Sequence, residues 1–272
     1  MTIEKVNEIM KKFDEVGVPV EQTVVEKNGV KKHCIIVGED GNQARPIFYL
    51  DEMEVDDVDE FVNHALNCIK GGEIKMKEVS ENIGNFDWVK DKLRICVGKE
   101  VSEDAVQRKF MDVIQYVRIV FEDGSAIVKR PLLDMWDISE EELFSYAYTN
   151  MEFRVRPMSE VIKEIMVIDD DDMPGFDGED TIYVMSTMDY YHGASAMCCT
   201  RLLDDLAEQF DDDLLILPSS IHEVIATKFS QFDPCMYGMV KEVNESQVAP
   251  EERLSDNVYK YSREEHCLSI AS

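Results

Sequence analysis

Cations are scarce in this 272-residue chain: 28 Lys and Arg stand against 57 Asp and Glu, a formal charge of −29. No basic run or stripe is present. Affinity for phosphate backbones and anionic lipid rests on clustered Lys and Arg, so neither direct nucleic-acid binding nor membrane-surface binding is expected. Long apolar runs are missing too. No stretch approaches the roughly 18 residues that span a bilayer, and the opening MTIEKVNEIMKKF lacks the apolar core of a signal peptide. The expected compartment is the cytoplasm.

Several chemistries lose their usual support in the same way. GxxxxGK[ST] and GxGxxG are both absent, which removes phosphate-loop and Rossmann cofactor binding. No G-x-S-x-G elbow occurs. The seven cysteines, Cys34, Cys68, Cys96, Cys198, Cys199, Cys235 and Cys267, include no CxxC pair, and no HxH or HxxxH exists. A zinc site or redox motif is therefore not expected, and no cofactor is called for. Scattered thiols in apolar runs behave as small hydrophobes and suit a reducing compartment.

What is present reads as a folded chain, because 44% of residues are hydrophobic, with ten Tyr and twelve Phe. Disorder combines high charge with few such residues. Ile3, Val6, Met10 and Phe13 recur at helical spacing up to Gly17. β-rich runs follow at 20–26, 31–38 and 45–50, joined through Asn28-Gly29 and Asp40-Gly41, and predict a three-stranded meander. Asp57 and Glu60 form a capping-box pattern before a helix that Gly71-Gly72 is expected to end.

Phe86 to Val97 predicts a helix running into a strand, and 114–121 with 125–130 a hairpin around Asp123-Gly124. Ser139 and Glu142 cap a further helix. The run DDDDMPGFDGED at 169–180 has no apolar periodicity and reads as a solvated loop; it does not match an EF-hand, whose twelfth position would be Thr181. Beyond it come a strand at 181–187, a helix through Leu202–Phe210 and a strand–corner–strand at 213–226. A helix through Met236–Val243 and a closing strand at 258–261 complete the series. The expected fold is α+β, with antiparallel sheets packed against helices. It forms one large domain, or two lobes at 1–168 and 181–272 with the acidic run as the seam.

The only plausible Ser/His/Glu cluster is Ser219, Ser220, His222 and Glu223, in DLLILPSSIHEVI. Serine chemistry needs a base beside the nucleophile and an acid to orient it. On an extended chain Ser220 and His222 share a face but lie roughly 6.6–6.8 Å apart, and Glu223 points away. A turn fixed by Pro218 explains the same residues, so no catalytic residue is assigned. His192, in MDYYHGASAM, reads first as a loop histidine beside a glycine turn; the alternative is that Tyr190, Tyr191 and Gly193 place it in a pocket wall.

ILPSSIHEVI (216–225) and VKEVNESQVAPEERLSDNVYKYSRE (240–264) resemble the C-terminal part of domain of unknown function family 5688. FDWVKDKLRICV (86–97) and LLDMWDISEEEL (132–143) are similar to its middle, and the first helix with ARPIFYL (44–50) to its opening. The resemblance implies a single α+β unit from an uncharacterised family of mainly gut anaerobic bacteria, and it implies no activity. Exposed polar members of these segments make the binding candidates Ser219, Ser220, His222, Glu223, Asn244, Gln247 and Asp256. The favoured expectation is a non-catalytic protein-binding module, for which a basic partner is allowed. The alternatives are a hydrolase built on the Ser219/His222 corner and an acidic mimic of nucleic acid.

Overall fold

The computed structural model describes residues 1–39, 45–121, 124–166 and 181–271. It has an α+β architecture with three antiparallel sheets among those residues, in two compact units, Met1–Val89 and Lys90–Ser272. The division falls between Val89 and Lys90; the seam expected from composition was the acidic run at 169–180. That run, together with Asp40-Gly41, lies outside the described residues.

The first unit opens with α1 (Ile3–Glu15), where the Thr2 side chain accepts the Lys5 amide and Val6, Ile9 and Phe13 form the buried stripe. β1 (Val20–Lys27) and β2 (Val30–Val37) pair antiparallel in register. Asn28 and Gly29 both take the left-handed conformation that a two-residue hairpin turn demands. β3 (Ile47–Tyr49) adds to β2. α2 (Val58–Asn82) starts at Asp57, whose carboxylate accepts the amides of Asp59 and Glu60.

Gly71-Gly72 does not end this helix. Each glycine costs about 1 kcal/mol against alanine, but the Lys and Glu residues around them are good helix formers and no proline intervenes. Phe13, Phe48 and Phe61 meet edge to face over the meander. With Ile9, Ile35 and Val62 they make this unit's own core.

A short helix, α3 (Phe86–Val89), closes the first unit, and the second opens with a 3-10 turn at Lys90–Lys92 that leads into β4 (Leu93–Gly98). The central strand of this sheet is β6 (Val113–Phe121). β4 pairs with one flank of it, and β5 (Gln107–Phe110) and β7 (Gly124–Ile127) follow one another along the other. α4 (Arg130–Trp136) leads to α5 (Glu140–Thr149), which carries a complete Ser139–Glu142 capping box.

β8 (Phe153–Pro157) and α6 (Met158–Met166) precede the acidic run, and β9 (Tyr183–Thr187) pairs directly with β8. The stretch between them thus joins neighbouring strands of one sheet. After α7 (Thr200–Phe210) come β10 (Leu214–Pro218), β11 (Val224–Lys228), α8 (Cys235–Gln247), β12 (Tyr259–Ser262) and β13 (Cys267–Ile270).

Their sheet has the order β13-β12-β10-β11-β9-β8. Alternation along β10 packs its two faces: Leu214 and Ile216 enter the core with Leu203, Leu206 and Met197, and Leu215 and Leu217 meet Val240, Met236 and Phe229 on the other side. Among the described residues no helix is long and apolar enough to cross a membrane.

Candidate functional site: the 219–223 corner and the adjacent cleft

Pro218 pairs with Val224, so the five residues between them form the loop of the β10–β11 hairpin. This loop is not extended, as the spacing estimate assumed. The Ser220 amide donates to the Glu223 carbonyl at 3.2 Å, and the Ser220 Oγ accepts the His222 amide at 3.0 Å. The Ser219 hydroxyl donates to the Glu223 carboxylate at 3.2 Å. Serine side chains bonding backbone one or two residues on is the usual chemistry of a tight turn.

His222 looks away from both serines. Its Nδ1 receives the His192 amide at 3.3 Å, and an amide N–H can only donate, so Nδ1 is the acceptor and the proton sits on Nε2. Nε2 faces the Glu252 carboxylate at 3.6 Å. The carbonyl of His222 receives the Ser186 hydroxyl at 2.7 Å, and the carbonyl of Ile221 receives the Ala194 amide. Gly193 lies in this junction, where a Cβ would collide with Ser186 Oγ, the His222 carbonyl and the Thr187 amide. A glycine is required there because backbone from three segments converges on one point.

The other candidates are placed apart from the corner. Asn244, 2% exposed, donates to the Ser255 carbonyl at 2.9 Å and to the Asp256 carboxylate at 2.7 Å, tying α8 to the loop before β12. Asp112 completes that tie by accepting from Ser255 Oγ, Asn257 Nδ2 and Tyr259 Oη. Partial burial raises the Asp112 pKa, but the three donors outweigh it and hold the carboxyl below its ordinary range. Gln247 is exposed at the end of α8. Asn244 and Asp256 are thus brought together, and the serine corner forms a separate cluster.

Beside the corner lies a cleft of about 270 Å³, walled by Arg94 and Cys96 of β4, by Asn150 and Glu152 after α5, and by Thr187, Met188, Asp189, Tyr191 and His192. His192 is buried in a left-handed conformation, with its ring edge-on to Tyr191 at 4.4 Å and to Tyr116 at 6.4 Å. The turn ahead of it exposes Met188, Tyr190 and Tyr191, and Tyr190 is also left-handed. The Tyr190 hydroxyl accepts from Arg154 at 3.0 Å and Arg156 at 3.1 Å, and the Arg154 guanidinium lies over its ring.

Arg94 of β4, which lines the cleft, stands in direct cross-strand register with Arg118 of β6, which is not among the lining residues. Arg94 donates to the carbonyls of Asp91 and Leu93, and Arg118 to the Ser125 hydroxyl at 2.8 Å. Ser125 in turn meets the Tyr191 hydroxyl. Burial pushes the Cys96 thiol on the same face up to about 12, so it is protonated at neutral pH and has little nucleophilic character.

Chemically, the corner is a closed set of internal bonds, and the cleft is a polar concavity with apolar side chains at its lip. Sequence reasoning singled out His192 and its tyrosines but missed Arg94, because only the fold brings β4 against the Thr187–His192 segment. No curated protein and no solved structure matches the chain. A family model described as a family of unknown function (DUF5688) matches residues 2–263, in agreement with the resemblance carried by 216–225 and 240–264, and the chain belongs to that family.

Proposed function

We propose that this chain acts as a non-catalytic protein-binding module, with the Met188–Tyr191 turn and the cleft beneath it as its working surface. The observation that carries this reading is the exposure of Met188, Tyr190 and Tyr191 on one turn, backed by arginines. Tyr, Met and Arg are the side chains enriched in protein interfaces, and Tyr and Arg dominate binding hot spots. The occupied ring nitrogens of His222 support the absence of hydrolase chemistry at the corner, since neither faces a hydroxyl that it would activate. A cytoplasmic setting and a partner of net positive charge fit the surplus of carboxylates, which steers cations toward the molecule.

The test is affinity capture from the native host with the full chain and with a Tyr190→Ser, Tyr191→Ser double variant whose thermal unfolding matches the parent. A partner retained by the parent and lost by the variant is the expected result. Equal recovery by both proteins, or turnover of ester or amide substrates that His222→Ala abolishes, would overturn the reading. Salt discriminates the acidic-mimic alternative: binding that collapses with ionic strength and ignores the tyrosine substitutions favours it.

A further inference from the structure

β1 is a free edge: among the described residues it pairs with β2 alone, and its other side carries no strand. It is also long and regular. All eight residues, Val20–Lys27, hold an unbroken register with β2, without a bulge or a proline. The other edge strands are blunted in the ways that folded proteins use against unwanted pairing. β3, β5, β7 and β13 have three or four residues, β8 carries Arg154, Arg156 and Pro157, and β4 is largely buried. β1 instead offers Val20, Thr23, Val24 and Val25, residues that favour extended pairing, and Val24 is 46% exposed.

The two faces of this strand differ. Val20 stands opposite Val37 and Gln22 opposite Ile35, and both partners are buried in the core of the first unit, so even-numbered positions share the core face. Glu21, Thr23, Val25 and Lys27 point to the other face. A strand that adds to β1 has to keep this division, because a one-residue slip would turn its core face outward.

We infer that the β1 edge is the docking site of a second copy of this chain, whose own β1 pairs with it antiparallel about a two-fold axis at Val24. In that register Val24 meets the second copy's Val24, Thr23 meets Val25, Gln22 meets Glu26 and Glu21 meets Lys27. Every pair joins even to even or odd to odd, so the two core faces continue into one another. The two-fold repeats the Glu–Lys pair at both ends, and opposite charges directly across a strand pair attract. Sliding one copy by two residues keeps the faces but sets Glu21 against Val25 or Lys27 against Thr23, and both charge pairs are lost.

Glu21 and Lys27 are loosely held at present: Glu21 meets Arg45 at only 3.4 Å, and Lys27 lies 5.6 Å from the centre of the Tyr49 ring. The exposed Val24 side chains would leave water on the axis, and two three-stranded sheets would become one of six. The formal charge of −29 opposes association at long range. Physiological salt confines that repulsion to about 8 Å and spares pairs in contact. This edge belongs to the first unit, so the inference stands or falls separately from the Met188–Tyr191 reading.

Sedimentation equilibrium of the full chain, from micromolar to near-millimolar concentration at physiological salt, tests the pairing. A reversible monomer–dimer equilibrium is expected. Glu21→Lys sets Lys against Lys at both ends, and Lys27→Glu sets Glu against Glu, so each should weaken the dimer roughly tenfold or more. Both residues are exposed, and thermal melts of the two variants should match the parent. An equimolar mixture of the variants restores Glu opposite Lys at both ends and should associate as the parent does. A parent that stays monomeric throughout, or a dimer that tolerates both single substitutions, would overturn the inference. So would variants that dissociate alone and still fail to associate when mixed.

Discussion

The corner at 219–223 and the cleft at 187–192 lie side by side and teach opposite lessons. The corner holds the residues that look catalytic, two serines, a histidine and a glutamate. Their polar groups are nonetheless turned on one another or on the neighbouring backbone. The cleft has an ordinary composition, yet the arginine that lines it, Arg94, is held by backbone carbonyls and its aromatic turn is exposed. Residue type alone did not distinguish them. What separates a working surface from scaffold is whether the donors and acceptors are already consumed.

The comparison is broken most severely at Gly193. Gly193→Ala inserts a Cβ among Ser186, Thr187 and the His222 carbonyl, all backbone or tightly held. We expect a loss of about 3 kcal/mol, measured by urea unfolding, since overpacking a site that cannot relax lies at the upper end of such costs. A variant as stable as the parent would mean that the corner and the cleft are not locked together there.

His222→Ala sharpens the contrast. It strands the His192 amide and removes the group facing Glu252, which should cost about 1–2 kcal/mol. An unchanged melting temperature would contradict the structural role given to this ring and revive the hydrolase alternative.

Asp112→Asn has a smaller effect, carried to the corner through the loop that includes Glu252. The Ile221 amide donates to the Glu252 carbonyl, and Asp112 pins the same segment further on at Ser255, Asn257 and Tyr259. A carboxyl whose folded pKa is depressed contributes stability above its unfolded pKa, near 4 for Asp, and loses it as pH falls through the folded value. Asp112→Asn should therefore cost about 1 kcal/mol at pH 7, tempered by solvent around the group. The difference from the parent should narrow toward pH 3 in parallel melts, and one that widens in acid would reverse the assignment.

Local signals in the sequence carried much of this architecture. Asn28-Gly29 and the Ser139–Glu142 box act within four residues, so pattern and structure coincide there. Gly71-Gly72 misled because helix continuation depends on the residues to either side more than on two permissive positions. The strands at 107–110, 153–157 and 267–270 escaped notice because they are short and two of them, QRKF and FRVRP, carry charge, as edge strands often do. Of the candidate site, the corner was legible as a turn, and His192 as a loop histidine first, with a pocket wall as the alternative. The cleft floor was not, since Arg94 and Cys96 of β4 are brought beside Val120 of β6 only by strand pairing.

Tyr190 is already fastened by two guanidinium groups in a backbone conformation that few non-glycine residues adopt. Its ring has little freedom left to surrender when another surface arrives. Association through it would be entropically cheap at that side chain, and truncating Arg154 or Arg156 should weaken recognition by loosening the tyrosine without removing any contact of its own.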